Sequence, residues 1–94
     1  MTGRLANKIV LITGAAAARG LGAAQARLFA AEGAHVIVSD IDDAQGEARV
    51  REICAAGGGA EYLPLDVTDE AAWQAAMVGI LARHGRLDVL SNNA

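Results

Sequence analysis

The sequence predicts an α/β domain built on a parallel sheet of four strands with helices packed against it. Three observations support this prediction: four short apolar segments, three longer helix-forming segments between them, and glycines at several of the junctions. Regular alternation of strands with helices of crossover length is typical of parallel sheets with right-handed connections. The 94 residues, 53% of them hydrophobic, are sufficient for one small domain.

The first half of the chain predicts a strand, a helix and a second strand. Lys8–Thr13 (KIVLIT) is a β-branched apolar run, which is typical of a strand buried on both faces. The helix predicted from about Gly20 to Glu32 is rich in helix formers, and Gly33 follows it where a helix C-terminal glycine belongs. His35–Asp40 (HVIVSD) is the second apolar strand. Four apolar residues of the helix recur at helical spacing: Leu21, Ala24, Leu28 and Ala31.

The second half predicts helix, strand, helix and strand. Ala44–Ala56 is a helical segment followed by three glycines, and Glu61–Leu65 is the third strand. The inner face of the Ala44–Ala56 helix is predicted to carry Val50, Ile53 and Cys54. The helix Asp69–His84 begins with acidic residues, which suits the helix dipole, and Leu87–Asn92 is the fourth strand. One side of the Asp69–His84 helix carries Trp73, Met77, Ile80, Leu81 and His84.

Composition and charge argue against several classes of partner. The net charge of −3, without any run of like charges, gives no general attraction to nucleic acids or acidic membranes. No apolar segment approaches membrane-spanning length, and no signal peptide is recognisable, so we expect a soluble cytoplasmic protein. The one cysteine, Cys54, cannot form an internal disulfide, and no residue spacing indicates a metal site. We interpret His35 and His84 as surface or capping residues.

A glycine-rich segment, TGAAAARGLG (Thr13–Gly22), joins the first predicted strand to the first predicted helix. Glycines let a backbone approach a pyrophosphate closely, and free N–H groups at a helix amino end bind its charge. An ordinary strand-to-helix turn can also contain glycine, so this segment alone leaves both interpretations open. Asp40, eighteen positions after Gly22, lies where an acidic residue can bind a ribose hydroxyl, although it could instead cap the next helix. Loop, aspartate and strand order together favour nucleotide binding.

Four motifs resemble the short-chain dehydrogenase/reductase family in their order and spacing: Thr13-Gly14, Gly20-Leu21-Gly22, LDVTD (Leu65–Asp69) and NNA (Asn92–Ala94). The resemblance covers essentially the whole chain. It implies a Rossmann-type fold of three layers, α/β/α, with strand order 3-2-1-4. The first two helices would cover one face of the sheet and the third helix the other. It also implies that residues 1–94 are one NAD(P)-binding Rossmann domain. This unit would be the amino-terminal half of the family's domain, so the fold would be incomplete relative to the full family domain.

The same resemblance implies a dinucleotide site at the loop and at the ends of strands two, three and four. The loop residues would surround the pyrophosphate and the adenosine ribose, and Asp40 would hold the ribose diol. The residues after the second and third strands would meet the adenine ring. Asn93 would lie by the cofactor ribose, while Asn92 would tie the sheet together. The ten candidates are Gly14, Arg19, Gly20, Leu21, Gly22, Asp40, Ile41, Asp66, Val67 and Asn93.

The sequence departs from the family pattern in two places. Five residues separate Gly14 from Gly20 where the family has three, and Ala15–Ala18 are expected to bulge outward because alanine does not easily adopt positive φ. The family's catalytic pair, a tyrosine and a lysine four residues later, is also missing. Tyr62 is the only tyrosine of the chain and Lys8 the only lysine. We therefore assign no catalytic residue and expect the chain to be inactive alone.

Two residues give opposing indications of the preferred cofactor. A carboxylate at Asp40 repels the 2′-phosphate that distinguishes NADP from NAD. Arg19, directly before Gly20, resembles the basic residue that NADP-using members place near this phosphate. We predict that NAD is preferred over NADP.

The function implied is that of an NAD(P)-dependent oxidoreductase, which transfers hydride between nicotinamide and an alcohol or ketone. Only its cofactor-binding portion would be present here, so the substrate would bind only in a full-length context. The alternatives are a non-catalytic dinucleotide-binding module or truncated gene product, and a methyltransferase-type fold that binds S-adenosylmethionine, which the motifs disfavour. The fourth strand is predicted to be an unpaired apolar edge and therefore to promote self-association.

Overall fold

The computed structural model describes residues 3–93, so Met1, Thr2 and the Ala94 of the NNA motif lie outside the described residues. Its elements are β1 (Ile9–Thr13), α1 (Leu21–Ala31), β2 (His35–Asp40), α2 (Asp43–Ala55), β3 (Gly59–Pro64), α3 (Glu70–His84) and β4 (Val89–Asn92). All seven predicted elements are confirmed in type and order, and no boundary moves by more than two residues. The strand β3 begins at Gly59 rather than Glu61 because Gly59 pairs with His35 at the start of β2.

The four strands form one parallel sheet in the order β3-β2-β1-β4, which confirms the predicted topology. Because all strands run in the same direction, their last residues lie at one end of the sheet and their first residues at the other. We call these the carboxyl end (Thr13, Asp40, Pro64 and Asn92) and the amino end (Ile9, His35, Gly59 and Val89). Open parallel sheets bind ligands outside the carboxyl end.

The helices α1 and α2 cover one face of the sheet. Side chains alternate between faces along a strand, and this face receives Val10, Ile12, Val36 and Val38. From the helices it receives small residues and one large one: Ala23, Ala26, Ala30 and Ile53. Alanines on the inner side of α1 let its backbone lie close to the sheet.

This close approach overturns two expectations about the inner faces of the helices. The four apolar residues at helical spacing on α1 lie on its exposed side: Leu21 is 68% and Leu28 60% exposed, and Ala24 and Ala31 are exposed too. The contact between α1 and the sheet has room only for alanine and glycine, and it is made by other residues of the helix. On α2, Ile53 is buried and Val50 partly buried, but the prediction that Cys54 lies on the inner face is wrong. Cys54 is exposed, since the helical turn that aims Ile53 at the sheet rotates the next residue away from it.

The helix α3 covers the opposite face, as predicted. Ile9, Leu11 and Ile37 of the sheet pack with the fully buried Ile80. Trp73 and Met77 pack partly buried against this cluster, in agreement with their predicted role. Leu81, predicted on the same side, is instead 52% exposed. The two clusters on opposite faces establish the three-layer α/β/α architecture.

In the part of the chain that the structure describes, β3 and β4 are the outer strands of the sheet. Leu90 of β4 is 47% exposed, while Val89 packs against the α1/α2 cluster. Self-association through β4 stays a prediction. No helix within residues 3–93 has the length and apolar character needed to cross a membrane.

Candidate cofactor-binding site

Two of the loop glycines are required by the fold itself. Gly14, directly after β1, has φ of 62°, a left-handed conformation that disfavours residues with a Cβ atom. Gly22 lies in the first turn of α1, and a Cβ atom there would overlap the carbonyl oxygen of Gly14 and lie 2.9 Å from the Cα atom of Ala15. The helix can therefore begin directly against the end of β1 only because residue 22 is glycine.

Gly20 differs from these two glycines. It is the residue before α1, with φ −78° and ψ 160°, a conformation open to any residue. A Cβ atom on Gly20 would come no closer than 3.3 Å to its nearest neighbour, the carbonyl oxygen of Ala17. This contact is tight, but the fold constrains residue 20 much less than residue 22, and a ligand approaching the backbone would benefit from the missing side chain.

The amino end of α1 is set up differently from those of the other helices. Asp42 caps α2 by accepting from Gln45 N, and Asp69 caps α3 by accepting from Ala72 N. At α1 no side chain caps the helix, and no acidic residue lies in its first turn. The first N–H groups of a helix have no partner within it, so this end offers donors and a partial positive charge to an anion.

The two extra residues of the loop form an exposed turn. Gly20 N donates to Ala17 O at 2.9 Å, and Ala17, Ala18 and Arg19 are all exposed. A guanidinium nitrogen of Arg27 also donates to Ala18 O, at 2.9 Å. This contact by Arg27 was not predicted, and no motif in the sequence indicates it.

The expectation that all of Ala15–Ala18 bulge outward is wrong for the first half of this segment. Ala15 and Ala16 are buried, with exposed fractions of 0% and 1%. Ala15 N donates to Ser39 O at 3.2 Å, which holds the segment against β2. The methyl side chains are small enough to fit where the chain passes between the sheet and α1.

Asp40 connects the end of β2 to this buried part of the loop. Its Oδ2 atom accepts from Ala16 N at 3.1 Å, and its Oδ1 atom accepts from Ile41 N at 2.7 Å and from Asp42 N at 3.4 Å. A carboxylate has about four acceptor positions, so these bonds leave capacity for a ligand hydroxyl. The carboxylate is held beside the glycine loop at the carboxyl end of the sheet.

Tyr62 supports the segment that follows Asp40. Its hydroxyl oxygen lies 2.9 Å from Asp40 O and 2.7 Å from Asp43 Oδ1, so its one proton has two acceptors. Burial raises the pKa of Tyr62, and the hydrogen bond to Asp43 together with the nearby carboxylates raises it further. A Cβ atom on Gly46 would collide with the Tyr62 ring, so this glycine lets the ring lie under α2.

The other candidates of the adenine side lie in the segments after β2 and β3. Ile41 is 74% exposed although it is a large apolar residue. Asp66 accepts from Thr68 N at 2.9 Å and from Thr68 Oγ1 at 2.6 Å, and these bonds lower the pKa of Asp66. Val67 is partly exposed.

A polar network joins β1, β4 and α1 beside the loop. Thr13 Oγ1 donates to Asn92 Oδ1 at 2.7 Å and accepts from Asn93 N at 3.1 Å. The side-chain amide of Asn93 donates to Gln25 Oε1 at 2.9 Å, and Ser91 Oγ donates to the same oxygen at 2.6 Å. Asn92 thus ties β4 to β1. Gln25 was not predicted as part of this site, although it is the single polar residue in the run LGAAQA.

The candidate residues therefore come together at one end of the molecule. Each lies at or just after the carboxyl end of a strand, or at the amino end of α1. Arg19 is exposed and forms no ion pair with the residues that the structure describes. The uncapped helix, the absence of a side chain at Gly20 and the spare acceptor capacity of Asp40 are consistent with a bound dinucleotide.

A parallel sheet of order 3-2-1-4, with a glycine loop after its first strand, defines a Rossmann-like α/β protein. The chain belongs to the short chain dehydrogenase family, whose model matches residues 8–94. Members of this family bind NAD(P).

Named relatives agree with this assignment. The chain is 49% identical over 94 residues to a 2,5-dichloro-2,5-cyclohexadiene-1,4-diol dehydrogenase of Sphingobium indicum, covering 100% of this chain and 37% of that protein. It is 47% identical over 92 residues to a cyclopentanol dehydrogenase of Comamonas sp., covering 98% of this chain and 36% of the relative. The chain thus spans little more than a third of the length of these relatives.

A solved structure shares the fold. It is a metagenomic short-chain oxidoreductase in complex with NADP, with a TM-score of 0.91 and 44% sequence identity. The match covers 96% of this chain and 40% of that one. The predicted family and fold are confirmed.

Proposed function

We propose that this chain binds the dinucleotide cofactor of an NAD-dependent short-chain dehydrogenase/reductase. The observation that carries the proposal is the uncapped amino end of α1 beside Gly20, with the Asp40 carboxylate bonded to the same loop. A dinucleotide presents a pyrophosphate and a ribose diol a short distance apart. A helix amino end and a fixed carboxylate are groups that bind these two parts.

The pyrophosphate would lie over Gly20, Leu21 and Gly22, with Gly14 shaping the turn beneath it. Gly20 leaves the backbone open on this side, and the exposed side chain of Leu21 does not block the helix end from solvent. The N–H groups of the first turn would donate to the phosphate oxygens. This chain therefore contributes orientation and charge stabilisation of the cofactor.

The adenosine would extend towards the segments after β2 and β3. Asp40 would accept from the ribose hydroxyls, and the exposed Ile41 side chain would pack on the adenine ring. The two bonds that Asp66 accepts both end on Oδ1, which leaves Oδ2 for the adenine amino group, with Val67 beside it. At the other end, Asn93 would lie by the second ribose of the cofactor.

We infer that NAD is preferred over NADP. The 2′-phosphate of NADP carries about −1.5 to −2 charges at pH 7 and would have to lie next to the Asp40 carboxylate. Arg19 is the residue that favours NADP, but it lies on the exposed turn with no described partner that would hold it at the ribose. The related metagenomic structure was solved with NADP, so the charge at residue 40 is the point to test.

Hydride transfer is proposed only for a longer protein that contains this chain. Tyr62 is engaged with Asp43 on the α2 side, and Lys8 precedes β1 at the amino end of the sheet, so these two residues form no catalytic pair. Such a protein would need a separate tyrosine and lysine to move the proton of the substrate oxygen. The relatives named for cyclopentanol and for a cyclohexadienediol support a cyclic alcohol or ketone as its substrate.

Fluorescence titration of the chain with NADH and NADPH tests the proposal. We expect tighter binding of NADH, and in Asp40→Asn we expect NADH affinity to fall about tenfold while NADPH affinity does not fall. Glu47→Gln, which removes one charge from an exposed position of α2, is the matched control and is expected to change neither affinity.

Two results would contradict the proposal. Tighter NADPH than NADH binding in the unmodified chain would overturn the inferred preference. Stabilisation by S-adenosylmethionine without any response to either dinucleotide would replace the dehydrogenase assignment with a methyltransferase-type function.

A further inference from the structure

Two histidines and a glutamate converge at the amino end of the sheet. The Nε2 atoms of His35 and His84 lie 3.0 Å and 2.5 Å from the same oxygen, Glu61 Oε1. The ring centroids of the two histidines are 4.9 Å apart. One potential ligand atom from each residue lies within 4.8 Å of the other two. Three separate elements, β2, β3 and the end of α3, supply these side chains.

We propose that His35, Glu61 and His84 bind one divalent transition-metal ion, with Zn²⁺ as the physiological choice. Two imidazole nitrogens and one carboxylate oxygen are a donor set that Zn²⁺ accepts, and a site with three protein ligands keeps a fourth position for water. We call this group of three residues the His–Glu–His cluster. Nothing in the proposed cofactor function depends on it, because the cluster lies at the opposite end of β2 from Asp40.

The distances require only small adjustments of the side chains. Zinc bonds of about 2.0–2.1 Å place neighbouring tetrahedral ligand atoms about 3.3 Å apart. The two imidazole nitrogens lie 3.0 Å and 2.5 Å from one carboxylate oxygen, and all three ligand atoms lie within 4.8 Å of one another, so an ion between them would require the side chains to move by about 1 Å. The side chains of His35, Glu61 and His84 are 33%, 29% and 20% exposed, which gives an ion a path from solvent and leaves room for a bound water.

Charge in and around the cluster both favours and opposes a cation. Burial alone raises the pKa of Glu61, but the hydrogen bonds from His84 and His35 and the positive charge of Arg83 outweigh this effect and leave the pKa lowered. Arg83 opposes the ion, since its guanidinium lies 3.2 Å from Glu61 Oε2, but its side chain is 46% exposed and can turn towards solvent.

A bound ion would cross-link α3 to the sheet at the amino end of the strands. β2 and β3 are neighbouring strands, and α3 covers them, so one ion at the cluster would hold the end of α3 onto the sheet. Ligand binding to the folded state alone stabilises it by mass action. Zn²⁺ is therefore expected to raise the Tm of the chain.

Equilibrium dialysis against Zn²⁺ and visible spectroscopy with Co²⁺ test the site on the chain without an affinity tag. All measurements use a Cys54→Ser background, because the exposed thiol of Cys54 can itself bind these ions. We expect one ion per chain, a visible Co²⁺ absorption typical of four or five ligands, and a rise in Tm with Zn²⁺. Each of His35→Gln, His84→Gln and Glu61→Gln should weaken binding by about tenfold or more.

Two further variants sharpen the test. Glu52→Gln, which removes a carboxylate that pairs with Arg27 and contacts no histidine, should bind the ion like the background chain. Arg83→Ala should bind it more tightly, because a competing cation is removed from Glu61. Circular dichroism of every variant establishes that the fold is retained. The proposal is overturned if no ion is retained at roughly 100 μM free Zn²⁺, or if folded variants of all three ligands bind the ion as the background chain does.

Discussion

Asp40 Oδ2 accepts a hydrogen bond from the backbone N–H of Ala16 at 3.1 Å, so the carboxylate at the end of β2 is bonded to the loop that follows β1. The two groups proposed to bind the ribose and the pyrophosphate are therefore fixed relative to each other by one bond. Because Ala16 is buried, movement of the loop and of the carboxylate is coupled. Several testable consequences concern this region and the strands that support it.

The length of the loop can be tested by deleting its exposed part. Removal of Ala17 and Ala18 restores three residues between Gly14 and Gly20, while the Asp40–Ala16 bond and the two buried alanines remain. We expect the chain to fold and to bind NADH up to about tenfold more tightly, since fewer residues must be ordered beside the phosphates. Fluorescence titration and thermal unfolding measure the two effects.

The buried half of the loop is tested by substitution. Ala16→Leu is expected to lower the free energy of unfolding by about 1–3 kcal/mol, because the larger side chain does not fit a buried position whose N–H is bonded to Asp40. The matched control Ala17→Leu, at an exposed position of the same loop, should change the free energy of unfolding little. Weaker NADH binding after deletion of Ala17 and Ala18 would instead show that the longer loop takes part in binding.

The two glycines at the start of α1 are expected to respond differently to the same substitution. Gly22→Ala should destabilise the fold by about 1–3 kcal/mol, because its methyl group would overlap Gly14 O. Gly20→Ala should change stability little but weaken NADH binding, since its methyl group meets only Ala17 O at 3.3 Å and would intrude on the ligand side. Urea unfolding and NADH titration separate the two outcomes. Equal losses of stability in the two variants would contradict the assignment of Gly22 to the fold and of Gly20 to ligand binding.

Stability at alkaline pH should depend on Tyr62. Its pKa is raised in the folded state above the ordinary value of about 10, so the neutral hydroxyl is the form that folding favours. The resulting stability is complete below pH about 10 and is lost as the pH rises further, when tyrosine ionises more easily in the unfolded chain. Tyr62→Phe should cost about 1 kcal/mol at pH 7 and flatten this alkaline loss. Because Tyr62 is the only tyrosine, its ultraviolet absorbance follows the titration directly.

Stability in acid should depend on Asp88. Arg86 and the N–H of Ile9, which donates to Asp88 Oδ2 at 2.8 Å, lower the pKa of this carboxyl group. The contribution is present above the ordinary pKa of about 3.9 and is lost as the pH falls through the lower folded value. Asp88→Asn should therefore be less stable than the parent chain at pH 7, with the difference disappearing in strong acid. Glu47→Gln, which removes one carboxylate from an exposed position of α2, is the control for the loss of one negative charge.

Two paired residues of β1 and β2 test how a buried hydroxyl group affects stability with and without a hydrogen-bond partner. Ser39 is fully buried, and its Oγ atom has no hydrogen-bond partner among residues 3–93. Its neighbour in register, Thr13, is equally buried, but its hydroxyl bonds to Asn92 and Asn93. Ser39→Ala should raise the free energy of unfolding by about 1 kcal/mol, and Thr13→Val should lower it by about 1–2 kcal/mol. Chemical denaturation of both variants distinguishes them, and destabilisation by Ser39→Ala would contradict the assignment.

The elements of the fold and its topology were predictable because they depend on local patterns. Short β-branched runs such as KIVLIT and HVIVSD are typical of strands buried on both faces, and glycines mark the turns between elements. The glycine loop and Asp40 were equally visible, since their positions follow from the order of strand, turn and helix. Family motifs added the candidate residues around them.

Which side chains are buried depended on packing distances that the sequence does not contain. The spacing of Leu21 and Leu28 on α1 is helical, yet the close approach at Gly22 turns alanines inward and leaves both leucines exposed. The same reason explains why Ala15 and Ala16 are buried while Ala17 and Ala18 are not. Only the assembled sheet and helix decide how much room each position has.

Contacts between residues distant in the chain were also decided by the tertiary structure. Gln25 meets Asn93 across 68 positions, and His84 meets Glu61 across 23. Periodicity and spacing report on neighbours along one element, whereas these pairs exist because parallel strands and their covering helix bring separate elements together. The sequence alone therefore determined the class of fold and the position of the glycine loop between β1 and α1. The packing of α3 on β2 and β3 decided that His35 and His84 share the carboxylate of Glu61.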